Sequence, residues 1–529
     1  MQKVLVSDPI SEIGLKKLLE ADDIELDIKT GLNPQELKEI IGEYQGLLVR
    51  SQTKVTKDII DAASELRVIG RAGVGVDNID IKAATERGIA VINAPDGNTI
   101  STAEHSFAML IAMARWIPQA HQDLKAGIWN RKKYVGVELN RKVLGIIGIG
   151  RIGSEIAKRA KSFNMNIIGY DPYVTEERAK QLGITLGTVE DVVKQADFIT
   201  VHTPLIKETK YLIDHDQFAK MKRGVRIINC ARGGIIREEA LLKALNEEIV
   251  AAAALDVYED EPPGDNPLVN HPNVVTTPHL GASTEEAQLN VAIDVADEVY
   301  HYLKNEPFRN AINLPSLPQE TLQHARPFLQ LSEKLGLTIA NYINGAIEKI
   351  EIQFAGDFAD KEIDLLARTV QKGILSKHLG KQGVVNYVNA PHLAKGRGIE
   401  VIESRTQKSH GFTNLLTVKL KTNQEEKYIS GTVLNGYGER IVNLDGFTVD
   451  LIPEGNLILM DHIDQPGIIG KMGSILGNAK INIATMQVGR NELGGKAIAI
   501  LRVDHYVEDE EMLELKQIEG IQNLYQVEI

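Results

Sequence analysis

Short apolar runs alternate with amphipathic stretches through the first half of the chain. KVLVSD, GLLVRS, LRVIGRAG and GIAVINAP are rich in β-branched residues and end in turn residues, as strands do. Helical stretches such as SEIGLKKLLE lie between them. Further strands are predicted at VLGIIG, NIIGYD, DFITVH, VRIINC, AAALDV and NVVTTP. This alternation predicts an α/β protein with two doubly wound parallel sheets of the Rossmann or flavodoxin type.

Two long helices are predicted from residues that resemble capping boxes. Ser101 with Glu104 precedes a long apolar segment, and Ser283 with Glu286 opens a helix to about residue 304. Apolar residues recur on one face of the second helix: Leu289, Ala292, Ala296, Val299 and Leu303. The proline-bearing NEPFRNAINLPSLP that follows predicts a domain boundary.

The C-terminal part shows two further patterns. Residues 316–453 combine a helix, a strand, another helix and a late β-rich part, which indicates an α+β module. Residues 457–529 run strand, helix, strand, strand, helix, strand. That order predicts a ferredoxin-like domain.

Composition narrows the classes of function. A chain of 529 residues suggests three to four domains. Its net charge of −13 argues against binding to nucleic acid or to anionic membranes. The single cysteine excludes an intrachain disulfide and is compatible with a reducing compartment. The start lacks a signal-peptide pattern and no apolar run is long enough to span a bilayer, so we expect a soluble cytoplasmic protein.

A glycine-rich loop follows the strand VLGIIG. Gly148, Gly150 and Gly153 form G-x-G-x-x-G ahead of an amphipathic helix, and the next strand ends in Asp171. This is the full context of a dinucleotide-binding fingerprint, in which glycines allow close approach of the pyrophosphate to a helix N-terminus. An acid at position 171 can accept hydrogen bonds from a ribose 2′-hydroxyl and would repel a 2′-phosphate. NAD is therefore favoured over NADP.

Candidate catalytic groups lie at three later strand ends. Arg232 follows IINC, Asp256 and Glu261 lie in ALDVYEDEPP, and His279 lies in TTPHLGAST. An imidazole suits proton transfer near neutral pH, a neighbouring carboxylate supports it, and a guanidinium can hold a substrate carboxylate. Each residue also has a structural interpretation, as an interior ion pair, a loop acid or a packed turn histidine. Spacing alone does not bring them together.

The order of these motifs resembles the D-isomer-specific 2-hydroxyacid dehydrogenases, through GIGRIG, INCARGG, DVYEDEPP and TPHLGAST. The resemblance implies that Arg232 orients substrate and that Glu261 pairs with His279, the acid/base. It also implies that further residues line the cofactor: Arg151, Ile152, Thr203, Cys230, Ala231 and Asp256. By the same resemblance, residues 1–98 plus 284–312 form a discontinuous substrate-binding domain and residues 99–283 the NAD-binding domain. No metal site is expected.

Two arginines in the N-terminal domain indicate the type of hydroxy acid. Arg50 and Ser51 follow one strand and Arg71 follows another, which suits a dianionic group, although surface charge is the alternative. These segments resemble the branch of the family that oxidises 3-phospho-D-glycerate, where the matching residues bind substrate. Lys133 would add a cation from a neighbouring subunit, and the resemblance suggests a homotetramer.

The C-terminal segments extend the resemblance. HIDQPGIIGKMGSILGNAKINIATMQVGR resembles an ACT domain, the amino-acid-sensing module, with Asp464 and Asn482 as effector-binding residues and L-serine as the expected effector. Residues 316–453 resemble the intervening domain of long members of the branch. Its basic residues could hold an anionic effector, although surface solubility is the favoured interpretation for each of them: Lys372, Lys377, Lys381 and Arg397.

The sequence thus predicts NAD-dependent oxidation of 3-phospho-D-glycerate to 3-phosphohydroxypyruvate, regulated through the ACT domain. Another 2-hydroxyacid dehydrogenase, such as a glyoxylate or hydroxypyruvate reductase, is the nearest alternative. An NAD-sensing scaffold without activity is the alternative from a different class.

Overall fold

The structure is a computed structural model that describes residues 1–306, 308–315, 319–360, 363–379 and 385–529. The N-terminal sheet has five parallel strands in the order β2-β1-β3-β4-β5. Its strands are β1 (Gln2–Val6), β2 (Ile24–Ile28), β3 (Gly46–Val49), β4 (Val68–Arg71) and β5 (Ala90–Asn93). The helices between them are α1 (Lys16–Leu19), α2 (Pro34–Ile40), α3 (Lys57–Ala62) and α4 (Ile81–Glu86).

A second parallel sheet has seven strands in the order β12-β11-β10-β9-β6-β7-β8. Its strands are β6 (Val143–Ile147), β7 (Asn166–Tyr170), β8 (Thr185–Leu186), β9 (Phe198–Val201), β10 (Val225–Asn229), β11 (Val250–Leu255) and β12 (Val274–Thr276). The helices of this region are α5 (Thr99–Ala114), α6 (Ile117–Lys125), α7 (Arg151–Ser162), α8 (Glu176–Leu182), α9 (Val189–Gln195), α10 (His215–Ala219) and α11 (Glu238–Asn246). Strand order reverses beside β6, which creates the crevice where such sheets bind ligands.

Helix α12 (Glu285–Leu303) returns the chain to the N-terminal sheet. Val295 and Val299 lie so close to Gly70 of β4 that a methyl group there would come within 2.7–2.8 Å of them. Because Gly70 has no side chain, α12 can pack directly against β4. The predicted apolar face of α12 is confirmed, because most of its members are buried.

Both predicted capping boxes are wrong. Helix α5 begins at Thr99, two residues before Ser101, whose hydroxyl instead lies 2.8 Å from Oγ1 of Thr284. Helix α12 is capped by Thr284, which accepts a hydrogen bond from the Ala287 amide. The adjacent hydroxyl residue thus takes the capping position that the sequence assigned to Ser283.

The segment after α12 forms a six-stranded mixed sheet in the order β14-β13-β15-β16-β17-β18, covered by helices. Its strands are β13 (Ile347–Gly356), β14 (Glu400–Thr406), β15 (Asn414–Thr422), β16 (Glu426–Leu434), β17 (Gly438–Leu444) and β18 (Phe447–Leu451). Its helices are α13 (Gln319–Asn341), α14 (Asp364–Leu379) and α15 (Ala390–Gly396). The predicted α+β module is confirmed.

The last domain has the predicted βαββαβ order. Its elements are β19 (Asn456–Ile463), α16 (Ile468–Asn478), β20 (Ile483–Arg490), β21 (Lys496–Val503), α17 (Asp509–Lys516) and β22 (Ile521–Glu528). The antiparallel sheet order β20-β21-β19-β22 is that of a ferredoxin-like fold. Within the described part of the chain, none of the helices has the length and apolar character needed to cross a membrane.

Candidate active site

The glycine loop after β6 leaves room for a phosphate. Gly148 has a φ of 94°, and a methyl group on it would lie 2.5 Å from the His202 carbonyl oxygen. A methyl group on Gly153 would lie 2.1 Å from the Gly148 carbonyl oxygen, so α7 packs directly on the loop. At Gly150, which caps α7, the same position is open space. The N-terminus of α7 can therefore accept a pyrophosphate, and the loop fits a dinucleotide.

Asp171 lies at the end of β7 beside this loop. Its carboxylate accepts hydrogen bonds from the amides of Ile149, at 2.8 Å, and Tyr173, at 2.9 Å. Asp171 therefore also stabilises the loop and the turn. A carboxylate has about four acceptor sites, so a ribose hydroxyl can still donate to it.

The other predicted cofactor residues surround the loop and the ends of β9 and β10. Arg151 and Ile152 open α7, and the Arg151 guanidinium lies 2.6 Å from the carboxylate of Asp96. The hydroxyl of Thr203 is buried and finds no hydrogen-bond partner among the described residues, so it can serve a ligand. Burial and the nearby charge of Asp256 raise the pKa of the Cys230 thiol to about 12, which leaves it protonated. Ala231 follows directly, with its amide bonded to Asn229.

His279 and Glu261 form a pair at the mouth of the cleft. Nδ1 of His279 lies 2.7 Å from Oε2 of Glu261. Because an ionised carboxylate only accepts, Nδ1 carries the proton and Nε2 is left as the base. Burial alone would raise the pKa of Glu261, but the hydrogen bond and charge of His279 lower it below the ordinary value. Glu261 is therefore ionised and stabilises the imidazolium once His279 accepts a proton.

Asp256 is completely buried behind this pair. Its carboxylate accepts the hydroxyl of Thr277 at 2.6 Å and the amides of Leu280 and Gly281 at 2.7 and 2.8 Å. Burial would raise the pKa of Asp256, but these bonds and the contact with His105 lower it. The carboxylate is thus a buried anchor of the His279 loop. Its predicted contact with the nicotinamide stays a prediction.

Arg232 reaches from β10 to the N-terminal sheet. Its Nε lies 3.0 Å from the carboxylate of Asp77, and its Nη1 donates to the Ala231 carbonyl at 2.7 Å. A methyl group on Gly75 would lie 1.8 Å from Nη2, so the glycine creates the space that the guanidinium occupies. The cation therefore lies between the two sheets, where a substrate carboxylate can meet it.

Arg71 and Arg50 add positive charge on the substrate side of the cleft. Burial, together with the charges of Arg232 and Arg50, lowers the pKa of Arg71 to about 10. Its Nε is buried without a partner among the residues that the structure describes. Gly73 makes room for the guanidinium, since a methyl group there would lie 2.1 Å from Nη1. Asp77 and Asp8 offset part of the repulsion among the three arginines, and the positive charge that they concentrate in the cleft favours an anionic ligand.

The side chains of Asp8 and Asn78 hold the backbone of the Arg50 segment. The buried carboxylate of Asp8 accepts the Arg50 amide at 2.6 Å and the Thr53 amide at 3.1 Å. The side-chain amide of Asn78 donates to the Arg50 carbonyl at 2.7 Å. Ser51 is exposed between these anchors.

Five residues of this architecture were not among the predicted site residues. They are Asp8 under Arg50, Asp77 on Arg232, His202 beside Gly148, and His105 with Thr277 on Asp256. Burial lowers the pKa of His202 to about 3, so its ring is neutral. An aspartate just after a predicted strand can accept backbone amides from the neighbouring loop. That position in the sequence is the signal that indicates an anchor such as Asp8.

The predicted effector residues both have partners within the last domain. Asp464 lies 2.8 Å from the Arg490 guanidinium, whose hydrogen bond lowers the pKa of the carboxyl. Asn482 donates to Asp504 at 3.1 Å. Lys133 is exposed and pairs with Asp123 at 3.0 Å.

Three of the four basic residues predicted for the intervening domain have partners within that domain. Lys372 pairs with Glu333, Lys377 donates to the Ala340 carbonyl, and Arg397 donates to the Leu393 carbonyl. Lys381 lies outside the described residues. Lys372 and Lys377 thus contact the neighbouring helix α13, and Arg397 bonds within its own segment.

Comparison with known proteins places these features in a family. Residues 107–281 match the NAD-binding domain of D-isomer specific 2-hydroxyacid dehydrogenases, residues 324–445 the D-3-phosphoglycerate dehydrogenase intervening domain, and residues 457–520 the ACT domain. The D-3-phosphoglycerate dehydrogenase of Bacillus subtilis is 48% identical over 98% of each chain. This chain belongs to the D-3-phosphoglycerate dehydrogenase family. It is accordingly an oxidoreductase with an NAD-binding domain.

Other relatives and solved structures agree with the family. The enzyme of the same name from Methanocaldococcus jannaschii is 46% identical over 99% of each chain. The human one is 42% identical over 78% of this chain and 77% of its own. The structure of a D-lactate dehydrogenase from Aquifex aeolicus with NAD and lactic acid is 26% identical, with a TM-score of 0.54 over 60% of this chain and all of that one. The predicted fold class is thereby confirmed.

Proposed function

We propose that this chain oxidises 3-phospho-D-glycerate at C2 to 3-phosphohydroxypyruvate with NAD, the entry step of L-serine biosynthesis. The observation that carries the proposal is the convergence of the His279–Glu261 pair and three arginines on one cleft beside the dinucleotide loop. Full-length relatives are D-3-phosphoglycerate dehydrogenases. The direct test is NADH formation from 3-phospho-D-glycerate by the purified protein.

The residues divide the chemistry between them. Arg232 holds the substrate carboxylate and polarises the oxygen on C2. Nε2 of His279 takes the hydroxyl proton, and the carboxylate of Glu261 stabilises the resulting imidazolium. NAD, when bound, supplies the acceptor for the hydride that leaves C2. Asp171 favours NAD over NADP because its carboxylate repels a 2′-phosphate.

Arg50, Ser51 and Arg71 bind the phosphate end. The unpartnered, buried Nε of Arg71 supplies a donor for a phosphate oxygen, and Arg50 adds charge from the adjacent strand end. A reductase for small unphosphorylated substrates, such as glyoxylate, would have no use for this second cationic group. The phosphate end therefore separates the proposed activity from its nearest alternative.

Replacing Arg71 with alanine should raise the KM for 3-phospho-D-glycerate by about 10-fold or more, because one charge-assisted hydrogen bond to the phosphate is lost. Glyoxylate reduction should change by less than about twofold, since that substrate lacks the phosphate. The measurement is steady-state kinetics on both substrates. Arg67→Ala, at the opposite end of β4, is the matched control. Equal losses on both substrates would argue against phosphate binding by Arg71.

We propose further that L-serine binds the ACT domain through Asp464 and Asn482. Asp464 pairs with Arg490 and Asn482 donates to Asp504, so serine would displace these partners or use the remaining acceptor and donor sites of the two groups. Calorimetry should detect serine binding, and Asn482→Ala should weaken it by about 10-fold, the value of one hydrogen bond to a charged group. Absence of heat with the unaltered protein would remove serine as the effector.

The proposal also includes the limits of the two N-terminal domains and the oligomeric state. Residues 1–98 with 284–312 form the substrate-binding domain and residues 99–283 the NAD-binding domain, supported by the packing of α12 on β4. We propose a homotetramer in which Lys133 lies near a neighbouring active site. The single cysteine is compatible with the reducing cytoplasm.

A further inference from the structure

His105 lies on α5, outside every motif of the proposed active site, yet it contacts the anchor of the catalytic loop. Its Nε2 lies 3.3 Å from Oδ1 of Asp256 and 3.3 Å from Oγ1 of Thr277. The Thr277 hydroxyl donates to that same Asp256 oxygen at 2.6 Å. Because the hydroxyl already donates its proton and the carboxylate only accepts, Nε2 of His105 carries a proton and donates.

The anchor acts on the backbone beside the catalytic histidine. His279 has a φ of 55°, in the left-handed region that L residues other than glycine, asparagine and aspartate seldom adopt. The two amides that follow, of Leu280 and Gly281, both donate to the Asp256 carboxylate. These bonds hold the unusual conformation, which in turn sets the ring of His279 against Glu261.

We propose that His105 is a positioning residue for the reaction: through Asp256 and Thr277 it fixes the His279 loop in the geometry that proton transfer requires. This proposal rests on the proposed function. The contacts form one continuous path, from the His105 ring to the Asp256 carboxylate, to the Leu280 and Gly281 amides, and to His279.

The His105 end of this path also borders open space. Together with Thr277, the ring lines a cleft of about 580 Å³ between α5, the start of α6 and the segment 269–277. One side of the ring thus faces this cleft while Nε2 faces the buried carboxylate. A substitution at His105 can therefore be accommodated without filling or emptying the core.

A metal site is the competing explanation for this cluster. Ligand atoms of His105, Cys230 and Asp256 lie within 4.8 Å of one another. However, the Asp256 carboxylate already accepts three donors from within the protein, the Thr277 hydroxyl and the amides of Leu280 and Gly281. Hydrogen bonding accounts for the cluster without an ion.

The experiment compares His105→Phe, which keeps a ring but removes the donor, with His105→Gln, which keeps a side-chain N–H. His105→Phe should lower kcat with 3-phospho-D-glycerate by about 10-fold or more, because small displacements of a catalytic group are costly. The KM values and NADH affinity should stay within about twofold, and His105→Gln should restore most of the activity. His121→Gln, on the exposed side of α6, is the matched control.

Hydrogen exchange of the segment 276–284 gives a second readout that does not depend on turnover. The Leu280 and Gly281 amides should exchange faster in His105→Phe and at the original rate in His105→Gln. Unchanged exchange and unchanged kcat in His105→Phe would overturn the proposal. Equal losses in both variants, or activity lost to a chelator and regained with zinc, would also overturn it. If the unaltered protein is inactive on 3-phospho-D-glycerate, the proposed function is rejected instead. The hydrogen-exchange rates of the Leu280 and Gly281 amides then decide whether His105 positions the loop.

Discussion

Replacing His279 with asparagine is expected to lower kcat with 3-phospho-D-glycerate by about 10²-fold or more, because the proton acceptor is lost. Asparagine is the suitable substitute because it tolerates the left-handed backbone, with φ of 55°, that His279 adopts. The loss then reports on chemistry rather than on strain at the loop. NADH affinity, measured by fluorescence, should remain within about twofold, since the ring is not part of the dinucleotide loop.

Glu261→Gln provides an intermediate case. The amide can still accept from Nδ1 of His279 but carries no charge to stabilise the imidazolium, so a smaller loss of about 10-fold is expected. His121→Asn, an exposed histidine on α6, is the control and should leave kcat unchanged. Full activity in His279→Asn would return His279 to the structural interpretation of a packed turn residue.

Replacing Arg232 with alanine is expected to lower kcat/KM by about 10²-fold or more, because a partly desolvated cation that holds the substrate carboxylate is removed. Arg232→Lys should recover little of this, since an ammonium cannot form the two parallel hydrogen bonds of a guanidinium. The measurement is steady-state kinetics over a range of substrate concentrations. The effect should fall on both kcat and KM, because the contact orients as well as binds.

Arg223→Ala is the matched control for Arg232. Arg223 is exposed at the opposite end of β10 and donates to the Glu247 carbonyl. It should leave kcat/KM unchanged. A loss in Arg223→Ala equal to that in Arg232→Ala would show that destabilisation of β10, rather than substrate contact, explains the result.

The sequence predicted the fold and the dinucleotide loop well because both depend on local patterns. Alternating strands and helices favour a parallel sheet, and the structure confirms the steric demands for glycine at Gly148 and Gly153. The order of strands and helices in the last domain could likewise be predicted from the spacing of its apolar residues. The capping boxes failed because Thr284 competes with Ser283 for the same position, a difference that residue type cannot decide.

The proposed catalytic pair was predictable only through resemblance. His279 and Glu261 are 18 residues apart, and the 2.7 Å contact depends on how β11 and β12 end at one edge of the sheet. The anchors beneath the site escaped prediction for a related reason. His105 stands on a largely buried helix, where a lone histidine has the pattern of a core residue, and only the fold brings it to Asp256.

The proposed oxidation of 3-phospho-D-glycerate is tested most directly by comparing initial rates of NADH formation with 3-phospho-D-glycerate and with D-glycerate. Both are measured at the same protein concentration and at saturating NAD. We expect kcat/KM to be at least about 10²-fold higher for the phosphorylated acid, because Arg50 and Arg71 bind its phosphate. No NADH from 3-phospho-D-glycerate, or equal rates with both acids, would contradict it.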